Sequence, residues 1–198
     1  STMTENTTRN NYIIAAKSIA PFPIIMAIFM LAYAVWFGIA WDAAGWASFA
    51  LFVAYAIWLI FQGVSNVRVS AKLPDVKFTE LNNRIGKQMQ ILSMWTYIPL
   101  WIVIILLIIF GKYAYIMPAV TLIVGIHFLP QAKIFDRKID YFLAPVPIFT
   151  ALIAAYIATV SDTPWQIVFA ISSIGGVVAT ASYGLYLAVQ CQQLIKKI

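Results

Sequence analysis

The chain has 198 residues, of which 63% are hydrophobic and only 10% are charged, and its formal net charge is +6. Soluble domains carry about 25% charged residues, so this composition excludes an ordinary soluble protein and indicates an integral membrane protein. The basic residues lie between apolar segments and form no stripe on a soluble face, so no nucleic-acid partner is expected.

Six segments are long and apolar enough to cross a lipid bilayer. They predict an all-α fold, a polytopic membrane bundle of six transmembrane helices in a single domain covering 1–198. The predicted spans are 20–41, 45–67, 91–111, 114–134, 141–160 and 165–194. The polar stretch 1–11 lacks the pattern of a cleavable signal. The long connection 72–90 is expected to form a short interfacial helix or turn, either as a solvated connector or as a docking surface.

The distribution of basic residues predicts how the chain is oriented in the membrane. With six spans both termini lie on one side, and every basic residue except Lys112 falls on that side. Positive charge marks the cytoplasmic side of membrane proteins, so both termini are predicted to be cytoplasmic. Trp41, Trp46 and Trp165 fall at the opposite interface, where tryptophan is enriched. The expected location is the bacterial cytoplasmic (inner) membrane, with multiple passes.

The most informative residue is His127, the single histidine of the chain, which lies within the fourth segment. Ionisable side chains are costly in hydrocarbon and usually face a partner or a cavity. Gln131 follows one helical turn later on the same face, and Tyr183, Tyr186 and Gln190 share one face of the sixth segment. These groups predict a polar ligand-binding pocket in the cytoplasmic half. The alternative is a neutral, structural histidine bonded to a carbonyl or a tyrosine hydroxyl.

Further residues are predicted to complete this pocket. Gln62 in the second segment reaches a similar depth, and Tyr97 in the third is expected to lie nearby. Trp36, Trp58 and Trp101 would supply apolar walls, because ligand pockets are mostly apolar with a few polar anchors. The alternative interpretation of these tryptophans is contact with lipid or with the core.

The sixth segment also carries a row of small side chains, which recur every fourth residue. Rows of this kind allow two helices to approach closely in a membrane. The row is expected to pack within the bundle, to form a homodimer or to dock a partner helix. Its members are Ser172, Gly176, Thr180, Gly184 and Ala188.

The chain shows no motif for catalysis or for metal binding. A metal site needs three or four donors, and the sequence has one histidine, one cysteine and no carboxylate inside a predicted span. Asp140, at the start of the fifth segment, is interpreted as a charge that stabilises a helix amino terminus. No catalytic residue, cofactor or metal is therefore expected, and an enzyme is the least favoured class.

The stretch 125–135, Gly-Ile-His-Phe-Leu-Pro-Gln-Ala-Lys-Ile-Phe, resembles a G-x-H-F-x-P-x-A segment of small bacterial six-span integral membrane proteins of unassigned function. The resemblance implies a membrane location and draws attention to His127. Gln131 departs from the pattern, in which that position is apolar. The chain is also similar to the substrate-binding subunits of energy-coupling-factor transporters. In those, an A-x-x-x-A row on the first helix docks the coupling subunit, and Ala16 and Ala20 would form such a pair.

These observations lead to one main hypothesis and two alternatives. The main hypothesis is a membrane protein that binds, and in a further step transports, a small amphipathic or aromatic solute. The first alternative is a non-catalytic interaction protein that docks a membrane partner or self-associates through the sixth helix. The second is the substrate-binding subunit of an energy-coupling-factor type transporter.

Overall fold

In the computed structural model, which describes residues 2–198, helices are joined by short turns, and the described residues contain no strand. The predicted all-α class is confirmed. Five helical stretches are long and apolar enough to cross a membrane. The helices are α1 (Thr2–Ile19), α2 (Phe22–Ala71), α3 (Glu80–Ile109), α4 (Ile116–Phe135), α5 (Ile139–Leu143), α6 (Pro145–Val160) and α7 (Trp165–Lys196), with a 3-10 turn at Tyr113–Tyr115.

The helix α2 reverses direction in its middle and consists of two antiparallel arms, 22–40 and 43–71. Trp41 and Asp42 leave the helical conformation, and Asp42 has a positive φ of 49°. A Cβ atom on Gly63 would lie 2.6 Å from the Ile24 side chain, whereas a straight helix would separate these residues by about 60 Å. The first and second predicted spans fall on these two arms.

Two glycines allow the arms of α2 to meet at the reversal. A Cβ atom on Gly45 would overlap the carbonyl oxygen of Phe37, and one on Gly38 would overlap the Trp46 ring. Only a residue without a side chain fits at either position. The tight turn therefore depends on both glycines.

The helix α7 lies at the centre of the bundle, whereas α3 lies at its edge. α7 packs along both α2 and α6 and also contacts α1 and α4. In the most apolar 18-residue stretch of each helix, 67% of α7 is buried but only 11% of α3. Among the described residues, α3 packs only on α4 and the 3-10 turn. The surface of α3 is therefore left almost entirely to the surroundings.

The small-residue row of α7 packs inside the chain. A Cβ atom on Gly176 would overlap the ring of Tyr33 in the first arm of α2, and one on Gly184 would come within 3.0 Å of Leu59 in the second arm. All members of the row are buried, namely Ser172, Gly176, Thr180, Gly184 and Ala188. The small side chains thus allow α2 to pack closely against α7, and the row does not lie on a free surface.

Two helical regions differ from the sequence prediction. The stretch 80–90, predicted as part of a connection, is the beginning of α3, because Thr79 and Asn82 form a capping box. The polar stretch at the amino terminus is helical as α1, which buries Ile13 and Ala16. Tertiary contact with α7 stabilises this helix, whose own sequence is weakly amphipathic.

Candidate functional site

Polar side chains of α4 and α7 meet at one end of the bundle. The amide of Gln131 donates hydrogen bonds to the Tyr183 hydroxyl at 2.8 Å and to the Asp140 carboxylate at 3.2 Å. Gln131 and Tyr183 are 8% and 3% exposed, so these bonds are shielded from the surroundings. The structure therefore brings together two of the residues predicted from sequence.

Asp140 joins this group because of the turn between α4 and α5. α4 ends at Phe135. The next residue, Asp136, adopts a left-handed conformation with φ of 53°, and the Arg137 amide donates to the carbonyl of Ala132 at 2.9 Å. The chain then folds back, and the Asp140 side chain becomes fully buried. Its interpretation as a simple helix-terminal charge was incomplete, because spacing along the chain does not reveal the reversal. Asp140 does lie in the first turn of α5.

Arg137 completes the group, which we call the charged cluster and define as Gln131, Arg137, Asp140 and Tyr183. The Arg137 Nε atom lies 3.6 Å from Asp140 Oδ2, beyond hydrogen-bond distance. The guanidinium group lies 5.3 Å from the centre of the Tyr183 ring. Neither Arg137 Nε nor Asp140 Oδ2 has a hydrogen-bond partner, although both atoms are buried. Buried polar atoms are rarely left without a hydrogen bond, so both atoms have unused capacity to bond to a small polar group.

His127 lies one helical turn before Gln131, at the margin of the charged cluster. Its Nδ1 atom faces the backbone carbonyl of Val124 in the same helix. The ring is half-buried between Phe128 and Tyr97, with centroid distances of 4.7 and 6.4 Å. This contact with its own backbone matches the structural alternative. The proximity to Gln131 keeps the ligand-binding prediction open.

Gln62 belongs to a different group, which we call the amide cluster and define as Gln62, Asn66 and Gln192. The Gln192 amide donates to the Gln62 side chain at 2.7 Å and to the Asn66 side chain at 3.4 Å. The Asn66 amide donates to the Ala188 carbonyl at 3.2 Å. The amide cluster thus connects the second arm of α2 to α7. An asparagine inside an apolar segment is the sequence signal that could have revealed it.

The predicted aromatic walls do not gather around His127. Trp58 and Trp101 are 43% and 63% exposed and point away from the bundle. Trp36 packs edge-on against Trp165 and Phe169 near the opposite end of α7. Two of these rings therefore face outward and one packs in the core, as in the alternative interpretation. Tyr97 is the one predicted aromatic residue of α3 beside the histidine.

The remaining predicted residues lie at the edges of the two clusters. Tyr186 is half-buried, with its ring 6.5 Å from that of Tyr183. Gln190 is half-buried and joins neither cluster. Ala16 and Ala20, the pair that would dock a coupling subunit, are buried against Cys191 of α7. Two cavities of about 300 Å³ border α1, and their linings do not include His127.

Within residues 2–198, no group of three His, Cys, Asp or Glu side chains is arranged to hold a metal ion. No protein-family model, curated protein sequence or solved structure matches this chain.

Proposed function

We propose that this chain is a six-span membrane protein of the bacterial cytoplasmic membrane, with both termini on the cytoplasmic side. The reversal in α2 supports six spans, because it divides one apolar stretch into two arms. The shorter arm, 22–40, has a helical length of about 28 Å, against about 30 Å for the hydrocarbon layer. The position of almost all basic residues on the side of the termini supports the orientation.

We also propose that the charged cluster binds a small amphipathic or aromatic solute. The observation that carries this proposal is that two buried atoms 3.6 Å apart, Asp140 Oδ2 and Arg137 Nε, each lack a hydrogen-bond partner. Ionisable groups buried between membrane helices are costly and commonly mark a solute or ion pathway. A purely structural cluster would instead be expected to satisfy its buried atoms.

The charges of the cluster indicate which polar group the solute carries. One guanidinium and one carboxylate balance each other, so a charged solute would introduce an uncompensated charge. A hydroxyl or a primary amide can accept from Arg137 Nε and donate to Asp140 Oδ2 at once. The rings of Tyr183, Phe128 and Phe135 lie beside these groups and suit an apolar body. A neutral head on an apolar body is an amphipathic solute.

Melting temperatures of the purified protein in detergent test this proposal. Benzamide and benzyl alcohol serve as probes, because each joins a neutral head group to an aromatic ring. A ligand that binds only the folded state raises the melting temperature with concentration. We expect both probes to raise it in the wild-type protein and to lose this effect in Asp140→Asn and in Arg137→Met/Asp140→Leu.

The amide cluster offers a matched control for this experiment. Asn66→Leu disrupts buried hydrogen bonds on α7 without touching the charged cluster, so it should keep the full response to the probes. An equal response in Asp140→Asn would show that the probes act through the micelle. No response in the wild-type protein would contradict the proposed head-group chemistry.

A second candidate function, docking of a membrane partner, has its support in α3. This helix exposes Trp95, Trp101 and Ile109 by more than 60% and makes few contacts with the rest of the chain. Lipid covers such a face equally well, since lipid tails are as apolar as a partner helix. Polar substitution of Trp95 would reduce co-purification of a partner without changing the response to benzamide.

A further inference from the structure

A cavity of about 300 Å³ lies between α1 and the connection 72–79. Its walls combine aliphatic or aromatic groups with one cation and one anion. The apolar groups belong to Ile13, Ile14, Val76 and Phe78, and the charged ones to Lys17 and Asp75. A cavity with this lining suits a ligand that carries both a charged head and an apolar portion.

The position of the cavity follows from the proposed six-span topology, on which this inference rests. α2 ends at Ala71 and α3 begins at Glu80, and both are proposed to cross the membrane. The connection between them must therefore lie at a membrane surface. That surface is the one on which both termini lie. Lipid head groups are thus the most abundant molecules near the mouth of the cavity.

The surroundings of the cavity are basic and partly apolar. Several cations on the connection and the adjoining helix ends outnumber Asp75 and Glu80, namely Arg68, Lys72, Lys77, Arg84 and Lys87. Clusters of this kind next to a transmembrane helix attract anionic lipids. Phe78 and Leu81, which are 60% and 54% exposed, lie in the same segment and are suited to contact with acyl chains.

Lys17 is the cation within the cavity, and it is available for exchange. Its Nζ atom lies 3.3 Å from Asp75 Oδ1, while the Asp75 side chain is fully exposed. Ion pairs at the surface contribute little to stability, so another anion can replace the carboxylate at small cost. The lysine side chain itself is two-thirds buried, which holds the ammonium group at the cavity.

We infer that this cavity binds the phosphate head group of an anionic phospholipid in the adjacent leaflet. Lys17 contacts the phosphate in place of Asp75, and Val76 and Phe78, the more accessible apolar groups of the lining, contact the glycerol and the first methylenes of the acyl chains. The ligand class is therefore distinct from the neutral solute proposed for the charged cluster.

Titration of the detergent-solubilised full chain with short-chain phosphatidylglycerol, followed by melting temperature, tests this inference. Lys17→Gln should weaken the apparent affinity about fivefold, which is the contribution of one cation near an anionic lipid. Asp75→Asn should strengthen it, because the competing carboxylate is gone. Phe78→Ala should weaken it without any change in charge.

Two control variants make the same changes of net charge at residues outside the cavity lining. Lys87→Gln matches Lys17→Gln, and Glu80→Gln matches Asp75→Asn. We expect both controls to change the affinity much less than their counterparts. Equal effects of Lys17→Gln and Lys87→Gln would show diffuse surface attraction and would overturn the proposed site. If Lys17→Gln lowers the melting temperature even without lipid, two other variants test the site. Lys17→Arg should then keep the wild-type affinity for phosphatidylglycerol, and Phe78→Ala should weaken that affinity.

Other ligands separate a lipid site from a simple anion site. Phosphatidylcholine carries the same phosphate with a balancing cation and should raise the melting temperature less than phosphatidylglycerol. Glycerol 3-phosphate, which lacks acyl chains, should compete poorly. Equal competition by glycerol 3-phosphate would overturn the assignment to a lipid. None of these variants touches the charged cluster, so a failed lipid titration leaves the benzamide experiment unaffected.

Discussion

Two polar clusters lie on either side of the carboxyl-terminal half of α7, and they differ in charge and in completeness. The amide cluster is neutral, and none of its atoms is among the buried atoms that lack a partner within residues 2–198. The charged cluster contains a carboxylate that is 0% exposed, and two of its buried atoms are unpaired. The same helix thus carries one satisfied and one unsatisfied cluster.

The difference separates a structural arrangement from a site. Neutral amides can bond to one another and to a backbone carbonyl, which connects two helices at a modest desolvation cost. A buried ion pair costs more to desolvate and often contributes less to stability than apolar packing would. The pair is therefore a costly way to hold helices together, and its presence favours the proposed ligand-binding role.

Asp140→Ala should have the largest effect, because it leaves the Arg137 charge without its partner. We expect a loss of about 3–5 kcal/mol in the free energy of unfolding, measured by denaturant titration in mixed micelles. The double variant Arg137→Met/Asp140→Leu replaces the pair with apolar groups and should recover most of this loss. A double variant as unstable as the single one would mean that the pair itself stabilises the fold.

Gly176→Leu tests whether both clusters depend on the position of α7. The new side chain would overlap the Tyr33 ring, so we expect a loss of about 1–3 kcal/mol or failure to assemble. Gly86→Leu is the matched control, since no atom lies within 4 Å of a Cβ placed there. Equal stability of the two variants, measured by thermal unfolding, would contradict the packing described for α7.

Asn66→Leu removes the centre of the amide cluster and its hydrogen bond to the Ala188 carbonyl. We expect a loss of about 1 kcal/mol in unfolding free energy, typical of a hydrogen bond between helices. The response to benzamide should remain, because the charged cluster is intact. A lost response would show that the two clusters act together and that the comparison between them is wrong.

His127→Phe tests whether the histidine belongs to the charged cluster. Its Nδ1 atom contacts its own helix, so unfolding free energy should change by less than about 1 kcal/mol. We expect a weaker rise in melting temperature with benzamide, since the ring lies one turn from Gln131. An unchanged response with unchanged stability would assign the site to the charged cluster without the histidine.

Trp101→Ala should have the smallest effect. This side chain is 63% exposed on the peripheral helix α3, so unfolding free energy should change by no more than about 0.5 kcal/mol. Trp36→Ala provides the contrast, because that ring packs against Trp165 and Phe169 and its loss should be plainly destabilising. A smaller rise in melting temperature with benzamide in Trp101→Ala would show that this residue contributes to ligand binding.

The positions of the helices were more predictable from the sequence than the contacts between them. The arms of α2, 22–40 and 43–71, lie close to the predicted spans 20–41 and 45–67. Of the predicted pocket residues, the structure joins Gln131 to Tyr183 and places His127 beside them, but it directs Gln62 to the amide cluster. Residues that share one helix face are predictable from spacing. Their partners on other helices are not.

The all-helical fold and the presence of several segments apolar enough to cross a membrane follow from the sequence alone, because length, apolarity and charge are properties of each segment. Which face of a segment points inward does not follow, because lipid and protein core are equally apolar and an apolar helix has no polar side to mark its exposed face. The outward position of Trp58 and Trp101 was therefore not predictable. Asp140 is buried because the turn after α4 brings its carboxylate back against Gln131. Only the tertiary contacts determine this position.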